Sequence, residues 1–409
     1  MNRVRTLRSA VATTCLASLL TAGTLVGPAS ATELIGGPLL AGAGVIEHPL
    51  PTAKPLPKID ADTWLLADLT TGDVLAAKNP HARVRPASTL KTLTSVALMP
   101  LLDRNTVHTA TDRDVRVDGS HVGIVSGATY TVWDLWNGLL LPSGNDAAMA
   151  LADQYGGAPK TVEAMQTMAH QLQALDTHVV NPSGLDADGQ VTSAYDMALI
   201  AAAALKIQDF RTVTSTKSYN FPGYMPKVGQ PRKTFKIFTE NRLLRHNYPG
   251  IAGGKTGFTS LAHRTFWAAA DRGGHLLVVT LFQIHEPTER AATALLNWGF
   301  ANRTALTPIG TLVRPVAANS LPSTSSATNP SVDTSGTSST TDALGSADYT
   351  GQQSSSKLPL LIGLLATMVG VTAVVLRRRT ISRRSGVRGH GRHAAVGDSR
   401  VETSATSAR

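Results

Sequence analysis

The chain has 409 residues, with 38 Lys and Arg against 28 Asp and Glu and a formal net charge of +10. The excess lies at the two ends, because residues 32–376 hold 26 basic and 26 acidic residues, which excludes a general nucleic-acid-binding surface. The only cysteine, Cys15, lies near the amino terminus, so the rest of the chain has no thiol for a disulfide, a nucleophile or a metal site.

The first 31 residues have the pattern of a secretory signal peptide. Three arginines precede an apolar stretch, residues 11–26, and Ala29 and Ala31 form a small-x-small cleavage site. Residues 32–58 are rich in Pro and Gly and are predicted to be an extended leader.

The carboxyl-terminal part has the pattern of a membrane anchor. Residues 316–357 are dominated by Ser and Thr and are predicted to be a disordered linker. Residues 358–376 are uncharged and long enough for one transmembrane helix. Residues 377–409 begin with three arginines and predict a basic cytoplasmic tail. We therefore expect a single-pass protein of the cell membrane, with its main domain outside.

Residues 59–315 are predicted to form the globular domain. The order of its elements predicts an α+β fold, an antiparallel sheet flanked by helices with an all-helical insert, whose first and last strands come from the two ends of the domain. The predicted elements are strands at 63–69 and 74–77, helices at 147–155, 161–175 and 193–205, strands at 264–270 and 275–284, and a helix at 286–300.

Ser88 and Lys91 lie three residues apart at the start of an apolar run that predicts a buried helix. Residues at i and i+3 share a helix face, so the hydroxyl and the amine can meet. A lysine whose pKa is lowered by burial and nearby positive charge can take the serine proton. Taken alone, however, this loose pattern is better explained by a helix-capping serine and a solvated lysine.

Two further patches carry polar groups. Ser143-Gly144-Asn145 lies between two apolar helices, and alone it would be read as a turn. Lys255-Thr256-Gly257 lies where the last strands begin, and a glycine there lets a ligand backbone approach an open strand edge. A phosphate-binding loop is excluded, because the spacing Gly-x-x-x-x-Gly-Lys-Thr is absent.

In this order the three patches resemble the signature Ser-x-x-Lys, Ser-x-Asn and Lys-Thr-Gly of serine penicillin-binding proteins and β-lactamases. Residues 181–185, Asn-Pro-Ser-Gly-Leu, and 241–244, Asn-Arg-Leu-Leu, extend the resemblance to the D-alanyl-D-alanine carboxypeptidases of low molecular mass. The resemblance covers about residues 60–300. It implies a β-lactamase/DD-peptidase-like fold and action on peptidoglycan stem peptides that end in D-Ala-D-Ala.

The resemblance also implies roles for individual residues. Ser88 would be the nucleophile, Lys91 its base and Ser143 a proton relay to the leaving amine. β-Lactams would be covalent inhibitors at the same serine. The chemistry requires no metal or other cofactor, and His121 and His263 are interpreted as surface or hydrogen-bonded residues. The residues expected to bind substrate are Asn145, Lys255, Thr256, Gly257, Phe258 and, more weakly, Arg242.

Alternatives within the same fold are a β-lactamase and a transpeptidase. The glutamate that positions a hydrolytic water in β-lactamases has no counterpart in residues 181–196, where Asp186 and Asp188 are the acids before Asp196, so a peptidase is favoured. Relatives often carry a small β-rich domain after the catalytic one, and the low-complexity linker predicts that it is absent here. A different alternative is a non-catalytic, membrane-anchored protein that binds peptidoglycan.

Overall fold

The computed structural model describes residues 35–316, so the predicted signal peptide, membrane helix and basic tail, and the linker beyond residue 316, lie outside the described residues. No helix in that range is both long and apolar enough to span a bilayer. The strands are β1 (Val45–Glu47), β2 (Ala61–Asp68), β3 (Asp73–Lys78), β4 (Val107–Thr109), β5 (Thr129–Thr131), β6 (Ser218–Pro222), β7 (Thr234–Phe238), β8 (Ile251–Thr259), β9 (His263–Arg272), β10 (His275–Ile284) and β11 (Gly310–Thr311). The helices are α1 (Lys91–Leu98), α2 (Asp112–Val115), α3 (Val132–Leu140), α4 (Asn145–Tyr155), α5 (Ala158–Gln171), α6 (Ala194–Ala204), α7 (Gln208–Thr214), α8 (Arg242–Arg245) and α9 (Thr288–Asn302).

The main sheet has the order β1-β3-β2-β10-β9-β8, with β11 beside β3, and every pair is antiparallel. The predicted hairpins are present as β2–β3 and β9–β10. The two ends of the domain meet where β2 pairs with β10, with Trp64 opposite Leu281 and Leu65 opposite Thr280. The predicted antiparallel sheet and α+β class are confirmed, and β8 is left at an edge.

The sheet is buried on both faces. Successive side chains of a strand point to opposite faces, so Trp64 and Leu66 of β2 belong to the core under α9, which includes Leu295. Leu65 and Ala67 belong instead to the core shared with α1 and α6. Burial of both faces explains why these strands are apolar throughout and do not alternate with polar residues.

The three helices predicted in the middle of the domain are present as α4, α5 and α6. Ser193 caps α6 as its spacing suggested, because its side chain accepts a hydrogen bond from the backbone N–H of Asp196. The alanines of α6 allow it to pack close to the sheet, and the Thr280 hydroxyl donates to the Ala194 carbonyl at 2.8 Å.

The helical part of the predicted insert is present over residues 132–214 as α3 to α7, but the insert as a whole is not all-helical. The segment between β3 and β8 also contains two small antiparallel ribbons, β4–β5 and β6–β7. In the second ribbon Phe221 and Ile237 are buried against the insert while their neighbours face outward, the period of a strand. A Gly- and Pro-containing connection, residues 223–233, allows the two strands to pair.

The extended leader predicted at 32–58 is also corrected for the residues that the structure describes. Its β1 strand pairs with β3 and Leu40 is buried, so this segment is part of the domain. The physical reason is that β3 would otherwise expose an unpaired edge, which β1 and β11 cover.

Candidate active site

Ser88 lies in a 3₁₀ turn, Ala87–Leu90, that leads directly into α1. The turn begins with Ala87 in the left-handed region, at φ 47°. It is held by the Pro86 carbonyl, which accepts hydrogen bonds from the hydroxyls of Thr89 at 2.6 Å and Thr265 at 2.9 Å. Ser88 is therefore a first-turn residue fixed against β9, and its side chain does not cap the helix.

Lys91 is completely buried, and its amine meets the Ser88 hydroxyl. The Lys91 Nζ lies 2.7 Å from the Ser88 Oγ, 2.6 Å from the Asn145 Oδ1 and 2.8 Å from the Ser183 carbonyl oxygen. These three contacts fix the amine in position. The interpretation of Lys91 as a solvated lysine is therefore excluded.

The electrostatics of the site favour a neutral amine at Lys91. Burial is the main cause that lowers the pKa of Lys91 well below its usual value, and the positive charge of Lys255 lowers it further. The carboxylates of Glu240 and Asp146 act in the opposite direction. Burial also lowers the pKa of Lys255, to about 8, against the charge of Glu240. One amine is thus suited to accept a proton and the other to remain charged near neutral pH.

Ser143 lies over the second lysine. It adopts a left-handed backbone conformation at φ 67°, and its hydroxyl accepts a hydrogen bond from the Lys255 Nζ at 2.9 Å. The following Gly144 is needed because a Cβ there would lie 2.6 Å from the Asp146 carboxylate and 2.9 Å from the backbone nitrogen of Val122. The turn predicted at this patch is present, and it directs a serine toward the cleft.

Asn145 and Asp146 open α4 and brace the opposite wall of the cleft. Asn145 accepts from Lys91 and donates its amide to the Asp118 carbonyl at 2.6 Å. The buried Asp146 carboxylate accepts from the backbone N–H groups of residues 122–124 at 2.8–3.1 Å. These bonds fix the loop that brings Ser120 to the cleft. Asp146 is a supporting residue that the sequence analysis did not identify.

β8 is the edge strand that borders the cleft. A Cβ at Gly257 would lie 2.8 Å from the Ser88 backbone nitrogen and 2.4 Å from the Thr265 hydroxyl, so only glycine permits this close approach. Phe258 follows, with its side chain 67% exposed. This glycine lies on an edge strand, and the close approach that the structure shows there is by the turn that carries Ser88.

The outer part of the cleft contains a carboxylate that sequence reasoning missed. The Thr256 hydroxyl donates to the Glu240 Oε2 at 2.9 Å. Arg242, a predicted substrate-binding residue, lines the same cleft, but its guanidinium is paired with Glu289 at 2.9 Å. Glu240 has no recognisable motif, and only the turn between β7 and α8 brings it to Thr256.

The predicted residues converge on one cleft of about 650 Å³, which Ser88, Ser143, Thr256, Gly257, Phe258 and Arg242 line. Lys91, Asn145 and Lys255 lie beneath this surface. Among the acids weighed earlier, Asp186 accepts a hydrogen bond from Thr259 at 2.9 Å, and Asp188 is exposed. His121 bonds the Gly119 carbonyl at 2.9 Å, and His263 is exposed, as expected. Residues 35–316 contain no group of three metal-ligating side chains.

A serine hydroxyl in contact with a buried lysine amine, in a fold with an antiparallel sheet and helices on both faces, is typical of the penicillin-recognising serine enzymes. Residues 50–284 match the profile of one family in that class, peptidase family S11, D-alanyl-D-alanine carboxypeptidase. The chain belongs to this family.

Individual proteins of known name are similar to this chain in sequence and in fold. The chain is 40% identical over 255 residues to the D-alanyl-D-alanine carboxypeptidase DacB2 of Mycobacterium tuberculosis, covering 60% of this chain and 84% of that protein. It is 31% identical over 250 residues to DacF of Bacillus subtilis, of which it spans 62%. The crystal structure of a D-alanyl-D-alanine carboxypeptidase from M. tuberculosis superposes with a TM-score of 0.60 at 36% identity, over 64% of this chain and 99% of that chain. The Streptomyces K15 DD-transpeptidase superposes with a TM-score of 0.57 at 30% identity, over 61% of this chain and all of that chain.

Proposed function

We propose that the protein is a serine-type D-Ala-D-Ala carboxypeptidase that removes the terminal D-alanine from peptidoglycan stem peptides through an acyl-enzyme on Ser88. Membership of the carboxypeptidase family supports this activity. The observation that carries the proposal for this chain is the 2.7 Å contact between the Ser88 hydroxyl and a buried lysine amine. This contact gives a serine the base that it needs to act as a nucleophile.

The first step is acylation. Lys91, kept neutral by burial and by the charge of Lys255, takes the hydroxyl proton of Ser88. The Ser88 oxygen attacks the carbonyl carbon of the penultimate D-alanine. Backbone N–H groups of Ser88 and Phe258 would stabilise the resulting oxyanion, and losing one such donor typically raises the barrier by about 3 kcal/mol.

The second step is departure of the terminal D-alanine. The bond between the carbonyl carbon and the amine nitrogen breaks, and the amine takes a proton relayed by Ser143. Lys255 and Thr256 would hold the terminal carboxylate, and the 2.9 Å contact between Lys255 and Ser143 links this binding group to the relay. Water then hydrolyses the ester, which releases the shortened peptide and returns the proton to the site.

The proposal is tested on the soluble domain with diacetyl-Lys-D-Ala-D-Ala as substrate and free D-alanine as the readout. We expect D-alanine release that the Ser88→Ala variant abolishes, together with one penicillin adduct on the peptide that contains Ser88. A folded Ser88→Ala variant with undiminished release would disprove the nucleophile. A penicillin adduct on another peptide would have the same meaning.

A transpeptidase is a second candidate, favoured by the likeness to the Streptomyces K15 DD-transpeptidase. An acceptor amine added to the same assay separates the two reactions, because a transpeptidase would form a cross-linked product in place of the free shortened peptide. A β-lactamase is less well supported, because residues 181–196 contain no glutamate to position a hydrolytic water. Asp186, an acid in that stretch, accepts a hydrogen bond from Thr259.

We further propose that the domain acts outside the cell membrane, anchored by one helix at 358–376 with residues 377–409 in the cytoplasm. The support is the apolar run, the arginines after it and the signal-like pattern of residues 1–31. Fractionation of the full chain and protease protection of the basic tail test this topology. A full chain that is recovered in the soluble fraction would contradict it.

A further inference from the structure

The carboxylate of Glu240 already holds the hydroxyl that the substrate is proposed to use. The Thr256 hydroxyl donates to Glu240 Oε2 at 2.9 Å, and a hydroxyl has one proton to donate. An incoming terminal carboxylate, which has only acceptors, must therefore compete with Glu240 for the same proton.

The position of Glu240 is set by the backbone. Its N–H donates to the Leu141 carbonyl at 3.1 Å, which ties it to the loop that carries Ser143. The next residue, Asn241, caps α8 by accepting from the N–H groups of Leu243 at 3.0 Å and Leu244 at 3.4 Å. The acid is therefore carried by a defined turn at the cleft.

Two cations of the cleft, Arg242 and Lys255, are engaged with groups other than Glu240. Arg242 is paired with Glu289 at 2.9 Å. The Lys255 amine donates to the Ser143 hydroxyl and, at 2.7 Å, to the Thr256 carbonyl. The negative charge of Glu240 is therefore not neutralised by a direct ion pair with either cation, and like charges brought together across a binding site reduce affinity.

We propose that Glu240 is a specificity-determining residue that weakens binding of a free terminal carboxylate and allows the cleft to accept a terminal carboxamide. This inference rests on the proposed function. A carboxamide is uncharged and has N–H groups, so it can donate to Glu240 while its carbonyl accepts from Lys255. The bond between Thr256 and Glu240 then stays intact. The substrate class named here is a peptide with a D-alanine amide at its end.

The experiment compares two substrates, diacetyl-Lys-D-Ala-D-Ala and its terminal amide, in the wild-type domain and in Glu240→Gln. Release of D-alanine and of D-alaninamide is measured by mass spectrometry. The ratio of kcat/KM for acid over amide should rise about tenfold in Glu240→Gln, because a neutral side chain removes the repulsion of the acid substrate. Glu286→Gln is the matched control, since Glu286 lines the cleft without contacting Thr256, and its ratio should stay within about twofold of wild type.

The outcomes distinguish failure of the specificity role of Glu240 from failure of the proposed carboxypeptidase function. A ratio unchanged in Glu240→Gln, while the wild type releases D-alanine, overturns the specificity role and leaves the carboxypeptidase intact. An equal change with both substrates also overturns it, because it would indicate a general effect on acylation. No release from either substrate by a wild-type domain that penicillin still acylates would overturn the carboxypeptidase function and this inference together.

Discussion

The cleft is built from two regions that obtain their geometry in different ways. At the start of α1, Ser88 and Lys91 are three residues apart, and the helix itself brings their side chains together at 2.7 Å. At β8, Lys255 meets Ser143 across 112 residues of chain, and Gly257 touches the Ser88 turn only because the whole sheet is assembled. The geometry of the first region is set by residues close in sequence, whereas that of the second depends on tertiary structure.

The largest effect is expected from removing the Lys91 amine of the Ser88–Lys91 pair. Lys91→Met removes the base and leaves the Asn145 and Ser183 acceptors without their donor. We expect the acylation rate with penicillin and the kcat/KM for the peptide to fall by about 10³. Lys78→Met is the control, because it removes a half-buried lysine of β3 outside the cleft. An acylation rate in Lys91→Met close to that of the control would show that another group activates Ser88.

The same contrast explains what the sequence could predict. The Ser88–Lys91 pair follows from helix periodicity, and the β8 glycine follows from strand and turn patterns. The Ser183 carbonyl that holds Lys91, by contrast, is 92 residues away in the chain. Residues 181–185 contributed to the family resemblance, but no local pattern indicates that this carbonyl contacts the lysine. Glu240 was missed for the same reason.

Local patterns also failed where tertiary packing decided the structure. The strands β6, β7 and β1 are short. β6 pairs with β7 only after a long connection, and β1 pairs with β3, which lies about 30 residues further along the chain. Ser143 was predicted as part of a turn, but neither its left-handed conformation nor the close approach of Gly144 to the Asp146 carboxylate follows from turn propensity. The motif resemblance supplied the role of Ser143, which turn propensity alone could not.

A smaller effect is expected from disturbing the tertiary contact while keeping every polar group. Gly257→Ala places a methyl 2.8 Å from the Ser88 nitrogen, so β8 must move away from the turn. A displacement of this size at a reacting centre costs about 100-fold in rate. The measurement is the rate of acylation by penicillin.

Gly273→Ala is the control for that substitution. Gly273 has no atom within 4 Å of an added Cβ, so this variant adds a methyl without a clash. Its φ of +61° adds a backbone strain that Gly257→Ala does not have, which makes it the more demanding control. Equal acylation rates in the two variants would show that the contact between β8 and the Ser88 turn is not needed.

The smallest effect is expected in the pH dependence of activity, which distinguishes a neutral Lys91 from a charged Lys255. Activity needs a neutral Lys91 and a charged Lys255, so kcat/KM for the carboxylate substrate rises as Lys91 loses its proton. It then falls as the pH passes about 8, where Lys255, whose pKa burial lowers, loses its own. Lys255→Arg stays charged throughout, so its profile should lack the alkaline fall even if its maximum rate is lower. Initial rates across the pH range in which both proteins remain folded give the two profiles. An alkaline fall at the same pH in both would assign it to another group, and the charge of Lys255 would then not be what holds the carboxylate.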